Sequence, residues 1–235
     1  MTPVPAAEGQ LPLEISLRDE ANFDNFLAGR ETGPLVDALQ RQLEESGEDI
    51  IFIYGPEGSG KSHLLQAACH GAGSRALYLP LAELRGFPAD DLLQGVESRA
   101  LVSLDDLHRV LGEESWEEAL FHLCNRARQR GCRLLVSADA APRALALGLE
   151  DLRSRLGWGI VFQLTRPGDE EKAAILRFRA ARRGLALSGE VAAFIVSRAP
   201  RALDQLLELL ERLDRASLVQ QRTLSIPFVK QVMDW

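Results

Sequence analysis

One octapeptide constrains this chain more than any other feature: Gly55-Pro56-Glu57-Gly58-Ser59-Gly60-Lys61-Ser62, the pattern G-x-x-x-x-G-K-[ST]. The apolar run Ile50-Ile51-Phe52-Ile53-Tyr54 precedes it and reads as a buried strand. His63-Leu64-Leu65-Gln66-Ala67-Ala68-Cys69 follows and reads as a helix. Strand, glycine loop and helix start, in that order, describe a phosphate-binding loop. Gly55, Gly58 and Gly60 let the backbone curl so that its N–H groups face phosphate oxygens, with Pro56, Glu57 and Ser59 completing the loop. The helix N-terminus adds partial positive charge at the same place. Lys61 brings a full charge to the β- and γ-phosphates, and Ser62 offers a hydroxyl to Mg²⁺. The chain has three lysines against twenty-four arginines, so a lysine here is not incidental. His63, in the first helical turn, borders the loop, with simple packing as its alternative role.

At 235 residues there is material for one large domain or two unequal ones. The net charge of −7 argues against a broad nucleic-acid footprint, which needs clustered Lys and Arg. Arg126, Arg130 and Arg133, with Arg128 beside them, read first as a solvated helix face and second as a partner or nucleic-acid contact. Three scattered cysteines, Cys69, Cys124 and Cys132, form neither a disulfide framework nor C-x-x-C, and read as reduced packing thiols. No apolar run reaches the roughly 18 residues of a membrane span. Residues 1–9 lack the basic and apolar regions of a secretory signal, so a cytoplasmic location is expected.

Short apolar runs alternate with helical patterns. Ala76-Leu77-Tyr78-Leu79, Ala100-Leu101-Val102-Ser103-Leu104, Arg133-Leu134-Leu135-Val136-Ser137 and Gly159-Ile160-Val161-Phe162-Gln163 read as strands, making five with the one before the loop. Helices lie between them, for example residues 116–128. The alternation predicts an α/β fold, a five-stranded parallel sheet covered on both faces, with ligands at the carboxyl ends of the strands. Near Pro167 the pattern becomes all helical. Helices are expected over residues 169–183, from Ser188, over 202–216, and from Pro227 to the end. The expected domains are a tail over 1–20, the phosphate-loop domain over 21–166, and a small helical lid over 167–235.

Leu101-Val102-Ser103-Leu104-Asp105-Asp106 is the second strong signal. An apolar strand ending in two acids can place a carboxylate on Mg²⁺ and a second one on an attacking water. Asp139, after the neighbouring strand, could reach a γ-phosphate. Asp151-Leu152-Arg153-Ser154-Arg155-Leu156 carries two arginines before the last strand, and Arg201 opens a lid helix. Phe23 and Phe26 fit either core packing or an adenine contact.

Together these segments resemble the AAA+ ATPases of the DnaA type, over about residues 21–235. Phe23-Asp24-Asn25-Phe26-Leu27-Ala28-Gly29 resembles that family's adenine-side segment, with Asn25 between the aromatics. Asp105-Asp106 resembles its paired-acid metal motif and Ser137-Ala138-Asp139 its sensor 1. Arg155 matches the arginine finger, and Arg201 the sensor 2 arginine. Gln10-Leu11-Pro12-Leu13-Glu14-Ile15 resembles the peptide by which bacterial proteins dock on the DNA polymerase sliding clamp, through Gln10, Leu11 and Leu13. Glu14 stands where apolar residues are usual. The family's DNA-binding domain is not expected after the lid. The resemblance therefore implies a DnaA-related regulator that binds ADP or ATP with Mg²⁺, docks on the clamp, and supplies Arg155 to ATP held by DnaA, limiting initiation of replication. It further implies ADP as the protein's own ligand and only indirect or weak contact with DNA. The residues leave open its own ATP turnover and homo-oligomer formation. They also leave open a self-contained ATPase motor or helicase loader.

Overall fold

The computed structural model describes residues 17–235, so Gln10, Leu11 and Leu13 of the tail peptide lie outside the described residues. Five strands follow the apolar runs: β1 (Ile50–Tyr54), β2 (Ala76–Pro80), β3 (Leu101–Asp105), β4 (Arg133–Ala138) and β5 (Ile160–Gln163). They form one parallel sheet in the order β2-β3-β4-β1-β5. A strand covered on both faces needs apolar residues at consecutive positions. That is why β1 and β3 are legible as unbroken runs, and β3 is buried along its whole length.

Helices α1 (Gly33–Arg41) and α2 (Lys61–Ala72) cover one face. Leu35, Leu39, Leu64, Leu65 and Ala68 meet Ile51, Ile53 and Leu135 there. On the other face lie α3 (Leu81–Leu84), α4 (Ala89–Leu93), α5 (Glu114–Arg130) and α6 (Glu150–Leu156). Trp116, Leu120, Leu123, Leu152 and Leu156 pack against Phe52, Val102, Leu104 and Val136. Successive strand residues thus feed opposite cores, as the pleat requires. Acids open α5, arginines close it, and Gly131 terminates it in the left-handed conformation.

The chain divides into two compact units. The first holds described residues 17–56 and Gly60–Leu164, and the second holds Glu57–Ser59 and Thr165–Trp235. Within the second, Arg166 donates to the Glu57 carbonyl from Nε at 3.1 Å and Nη2 at 2.9 Å. The rest of that unit is helical among the described residues: α7 (Asp169–Arg182), α8 (Gly189–Arg198), α9 (Leu203–Gln220) and α10 (Ile226–Met233). Leu176, Ile195, Leu206, Leu210, Leu213 and Phe228 form its core. Ser188 caps α8, its hydroxyl accepting the Val191 N–H, and Ser225 caps α10 in the same way from Phe228.

Gly159 fixes how the last strand joins the sheet. A Cβ there would lie 1.8 Å from the Ile50 carbonyl oxygen, so no other residue fits beside the start of β1. Before α6, a buried carboxylate does comparable work. Glu117 on α5 accepts the backbone N–H groups of Gly112 at 2.9 Å, Gly148 at 2.9 Å and Leu149 at 2.8 Å. Burial pushes its pKa up, but those three hydrogen bonds and the nearby Arg153 outweigh it and hold the group below its ordinary value. A depressed folded-state pKa stabilises above the unfolded value, about 4.3, and that stabilisation is lost as pH falls through the folded value. Glu117→Gln is therefore expected to cost about 2 kcal/mol at pH 7. Its deficit against the parent should shrink below about pH 4, measured by denaturant unfolding across pH.

Candidate functional site

The phosphate loop leaves the sheet at the carboxyl end of β1. The Gly55 N–H continues the β1–β4 pairing by donating to the Ala138 carbonyl at 3.2 Å. Gly60 is required on two counts. Its φ is +96°, and a Cβ would press on Phe26 at 3.3 Å. It precedes α2, which no side chain among the described residues caps, so the first-turn N–H groups remain for a ligand. Lys61 is buried, and its ammonium donates to the carbonyls of Gly55 at 2.8 Å and Pro56 at 3.1 Å. The buried Ser59 hydroxyl has no hydrogen-bond partner among the described residues. An uncapped helix start, a glycine cradle, a buried ammonium and an orphaned hydroxyl together fit a chain of phosphates. Among the described residues, no group of three or more His, Cys, Asp or Glu side chains could hold a metal. A magnesium ion here would draw mainly on phosphate and water, with Ser62 and Asp105 as protein donors.

Strand order brings the acids to this loop. β4 lies between β3 and β1, so the ends of all three are neighbours. Asp105 is buried, and hydroxyls hold both its oxygens: Tyr78 donates to Oδ2 at 2.6 Å and Ser137 donates to Oδ1. Ser137 in turn accepts the Asp106 N–H at 2.8 Å. Gln66 of α2 donates to the Tyr78 oxygen at 3.3 Å. Asp106 stands in the left-handed region at φ 55°. Burial, then the adjacent Asp105, raises its pKa, and His108, Lys61 and Arg109 oppose that rise. Of the sensor segment, Ser137 touches the acid pair, whereas Asp139 is exposed beyond the strand. Tyr78 and Gln66 carried no motif. Only the register that pairs Pro80 with Asp105 reveals them.

The segment before the sheet is tied to α2 by side chains the sequence leaves ambiguous. Asn22 caps a 3-10 turn over Phe23–Asn25, and Asn25 donates to the Glu20 carbonyl at 3.1 Å. His63 Nε2 lies 3.0 Å from the Asn22 carbonyl oxygen, and His70 Nε2 lies 3.0 Å from that of Arg18. The rings of Phe26 and His63 are 5.7 Å apart. Phe23 and Phe26 are half-buried against the core of α1 and α2, Phe26 beside Gly60 of the glycine loop and Phe23 beside Gly71 in the last turn of α2. Both histidines therefore fasten an entering chain.

The two arginines of α6 have different surroundings. Arg153 is committed to the fold: it pairs with Glu150 at 3.1 Å and donates to the carbonyls of Pro142, Leu145 and Leu147. Arg155 makes no ion pair among the described residues. Its guanidinium lies 4.2 Å from the Trp158 ring centroid and 5.2 Å from that of Phe121. Trp158 precedes β5, so this arginine sits at the amino end of the sheet. The phosphate loop follows the carboxyl end of β1, whose five residues span about 17 Å. Trp158, Ile160 and Val161 are 42%, 39% and 39% exposed at the same end.

The basic run is dispersed, with Arg126, Arg128 and Arg130 on α5 and Arg133 at the start of β4. Arg126 and Arg130 face the buried Glu97 at 3.2 Å and 3.7 Å, Arg133 pairs with Asp49, and Arg128 lies over Trp158. The three thiols are free and buried, and burial pushes their pKa values to about 11, 12 and 11 for Cys69, Cys124 and Cys132. Arg201 is exposed in the second unit, just before α9. No helix among the described residues is long and apolar enough to cross a membrane.

Comparison with known proteins follows the same division. Residues 169–233 match the family described as Hda, lid domain, and residues 88–163 match the bacterial DnaA ATPase domain. An uncharacterized protein of Haemophilus influenzae is 41% identical over 229 residues, covering 96% of this chain and 98% of that protein. The crystal structure of domain III of the Thermotoga maritima replication initiation protein DnaA superposes with a TM-score of 0.75 at 22% identity. It covers 93% of this chain and 98% of that one. AMPPCP-bound DnaA from Aquifex aeolicus gives 0.71 at 24% identity, over 88% of this chain and 69% of that one. The parallel sheet with its phosphate loop, the helical second unit and these matches converge: the chain belongs to the Hda-like, DnaA-related AAA+ proteins.

Proposed function

We propose that this protein is a cytoplasmic negative regulator of DnaA that acts by promoting hydrolysis of DnaA-bound ATP. The observation that carries the reading is the position of Arg155. It has no carboxylate partner among the described residues, and it lies at the end of the sheet away from its own phosphate loop. The exposed Trp158 and the half-buried Phe121 lie against it. An arginine so placed is available to a nucleotide held by another molecule, and the likeness to DnaA supports DnaA as that molecule.

The chain's own nucleotide, ADP or ATP, would be held by residues 55–62, with Phe23, Asn25, Phe26 and His63 bordering it. Magnesium, when bound, supplies charge neutralisation at the phosphates. Asp105 is a carboxylate held in one orientation by Tyr78 and Ser137, while Asp106 and Asp139 remain the acids nearer solvent. In the reaction on DnaA, the Arg155 guanidinium neutralises charge that develops on the γ-phosphate in the transition state. The Gln10, Leu11 and Leu13 peptide docks the protein on the sliding clamp, so that the reaction is confined to clamp loaded on DNA. DNA itself is contacted only indirectly or weakly.

The deciding experiment follows ATP hydrolysis by ATP-loaded DnaA, with and without this protein and with clamp loaded on DNA. Steady ATP turnover by the protein alone, with no effect on DnaA, would identify a self-contained motor instead.

Three variants test the parts. Lys61→Ala is expected to abolish ADP binding by calorimetry while leaving the protein folded, and unchanged affinity counts against the loop as the site. Gln10→Ala with Leu13→Ala is expected to abolish co-elution with the clamp and to spare ADP binding. If co-elution persists, the peptide is not the docking element. Arg155→Ala is expected to keep fold, ADP and clamp binding yet lose about 10³–10⁵ in stimulated hydrolysis on DnaA. Parental stimulation by that variant removes the finger assignment.

A further inference from the structure

We propose that Trp158 is the positioning residue of the Arg155 finger. Its indole keeps the guanidinium stacked and unpaired, ready for a nucleotide on a partner. This rests on the reading of Arg155 given above and names a residue that reading did not require.

One ion pair that the sequence spacing allows does not form. Asp151 lies four residues before Arg155 on α6, the spacing at which acid and base meet on a helix. Asp151 is exposed, yet no Asp151–Arg155 bridge exists among the described residues. Instead the Arg155 guanidinium lies 4.2 Å from the Trp158 centroid, with Phe121 of α5 at 5.2 Å. The buried Arg155 Nε–H has no hydrogen-bond partner among the described residues. An aromatic face attracts a guanidinium without satisfying its donors. A carboxylate would satisfy them and compete with a phosphate. Stacking therefore orders the side chain while leaving its hydrogen-bonding capacity unspent.

The platform is itself fixed. Gly159 fits against Ile50 with no room for a side chain, which locks the backbone beside Trp158. The Trp158 N–H donates to the Arg155 carbonyl at 3.1 Å, so finger and platform share one turn. Arg128 also lies over this indole, at 4.5 Å. Two like charges on one ring leave each less tightly held than a single stack. Arg155 can thus move to a developing phosphate charge without breaking a salt bridge.

The test uses the full chain in the DnaA hydrolysis assay with clamp on DNA, varying the concentration of the protein. Trp158→Ala is expected to lower the saturating stimulated rate about 10–100-fold, the cost of a misplaced catalytic group. The half-saturating concentration and ADP affinity should not change. Trp158→Phe, which keeps an aromatic face, should stay within about threefold of the parent. In an Arg155→Ala background, Trp158→Ala should cost nothing further. A second readout needs no DnaA. The Arg155 Nε–H resonance in isotope-labelled protein should carry a ring-current shift that Trp158→Ala removes. The proposal is overturned by parental rates for Trp158→Ala, by a raised half-saturating concentration at unchanged rate, or by further loss in the Arg155→Ala background. If the parent itself fails to stimulate DnaA, the functional reading falls. The resonance then decides separately whether Trp158 holds Arg155, and a signal insensitive to Trp158→Ala overturns that too.

Discussion

Everything at the glycine-loop end of this sheet depends on satisfying one buried carboxylate. Asp105 ends β3 inside the protein, where an uncompensated charge is costly. The fold meets that cost with two hydroxyls from the flanking strands, Tyr78 on β2 and Ser137 on β4. Each donor is then committed further. Tyr78 accepts from Gln66 on α2, and Ser137 accepts the N–H of Asp106. The network joins three adjacent strands to the helix that begins at the phosphate loop. Positions of the acids and of the loop are therefore not independent. A satisfied polar network of this kind makes the arrangement single-valued rather than merely stable.

The same logic organises the other end with different chemistry. There the groups to be ordered are an arginine and the chain that carries it. Glu117 gathers the N–H groups of Gly148 and Leu149 just before α6, and Arg153 gathers the carbonyls of Pro142, Leu145 and Leu147. One buried acid and one arginine thus collect the donors and the acceptors of a loop that has no ladder of its own. Arg155, two residues on, is left out of that scaffold and rests on aromatic rings.

Much of this was legible in the sequence, for a physical reason. A doubly covered parallel strand must be apolar at every position, so Ile50 to Tyr54 and Leu101 to Leu104 announce themselves. The glycines, Lys61 and the paired acids sit at local spacings that a short motif captures. The helices of the second unit follow from Ser188, Gly184 and Pro227 by capping rules. What stayed hidden is non-local. The basic run on α5 reads first as a solvated face, but Arg126 and Arg130 turn to Glu97, which only the packing of α5 near residues 96–98 explains. His63 and His70 lack any ligand spacing because their partners are backbone carbonyls far away in the chain. Tyr78 has no motif because its meaning comes from strand register, and Trp158 reads as one apolar residue until Arg155 is found over it.

The separation of the two ends by the length of β1 has a consequence for variation. Groups further apart than about 7–10 Å, with no shared partner, change free energies nearly additively. Substitutions around the phosphate loop and substitutions around Trp158 share no side-chain partner and should combine without interference. Lineages could then retune the glycine loop at one end and the aromatic platform at the other, each by single steps that remain neutral for the opposite end. The central strand serves as insulation between two heritable properties of one small domain.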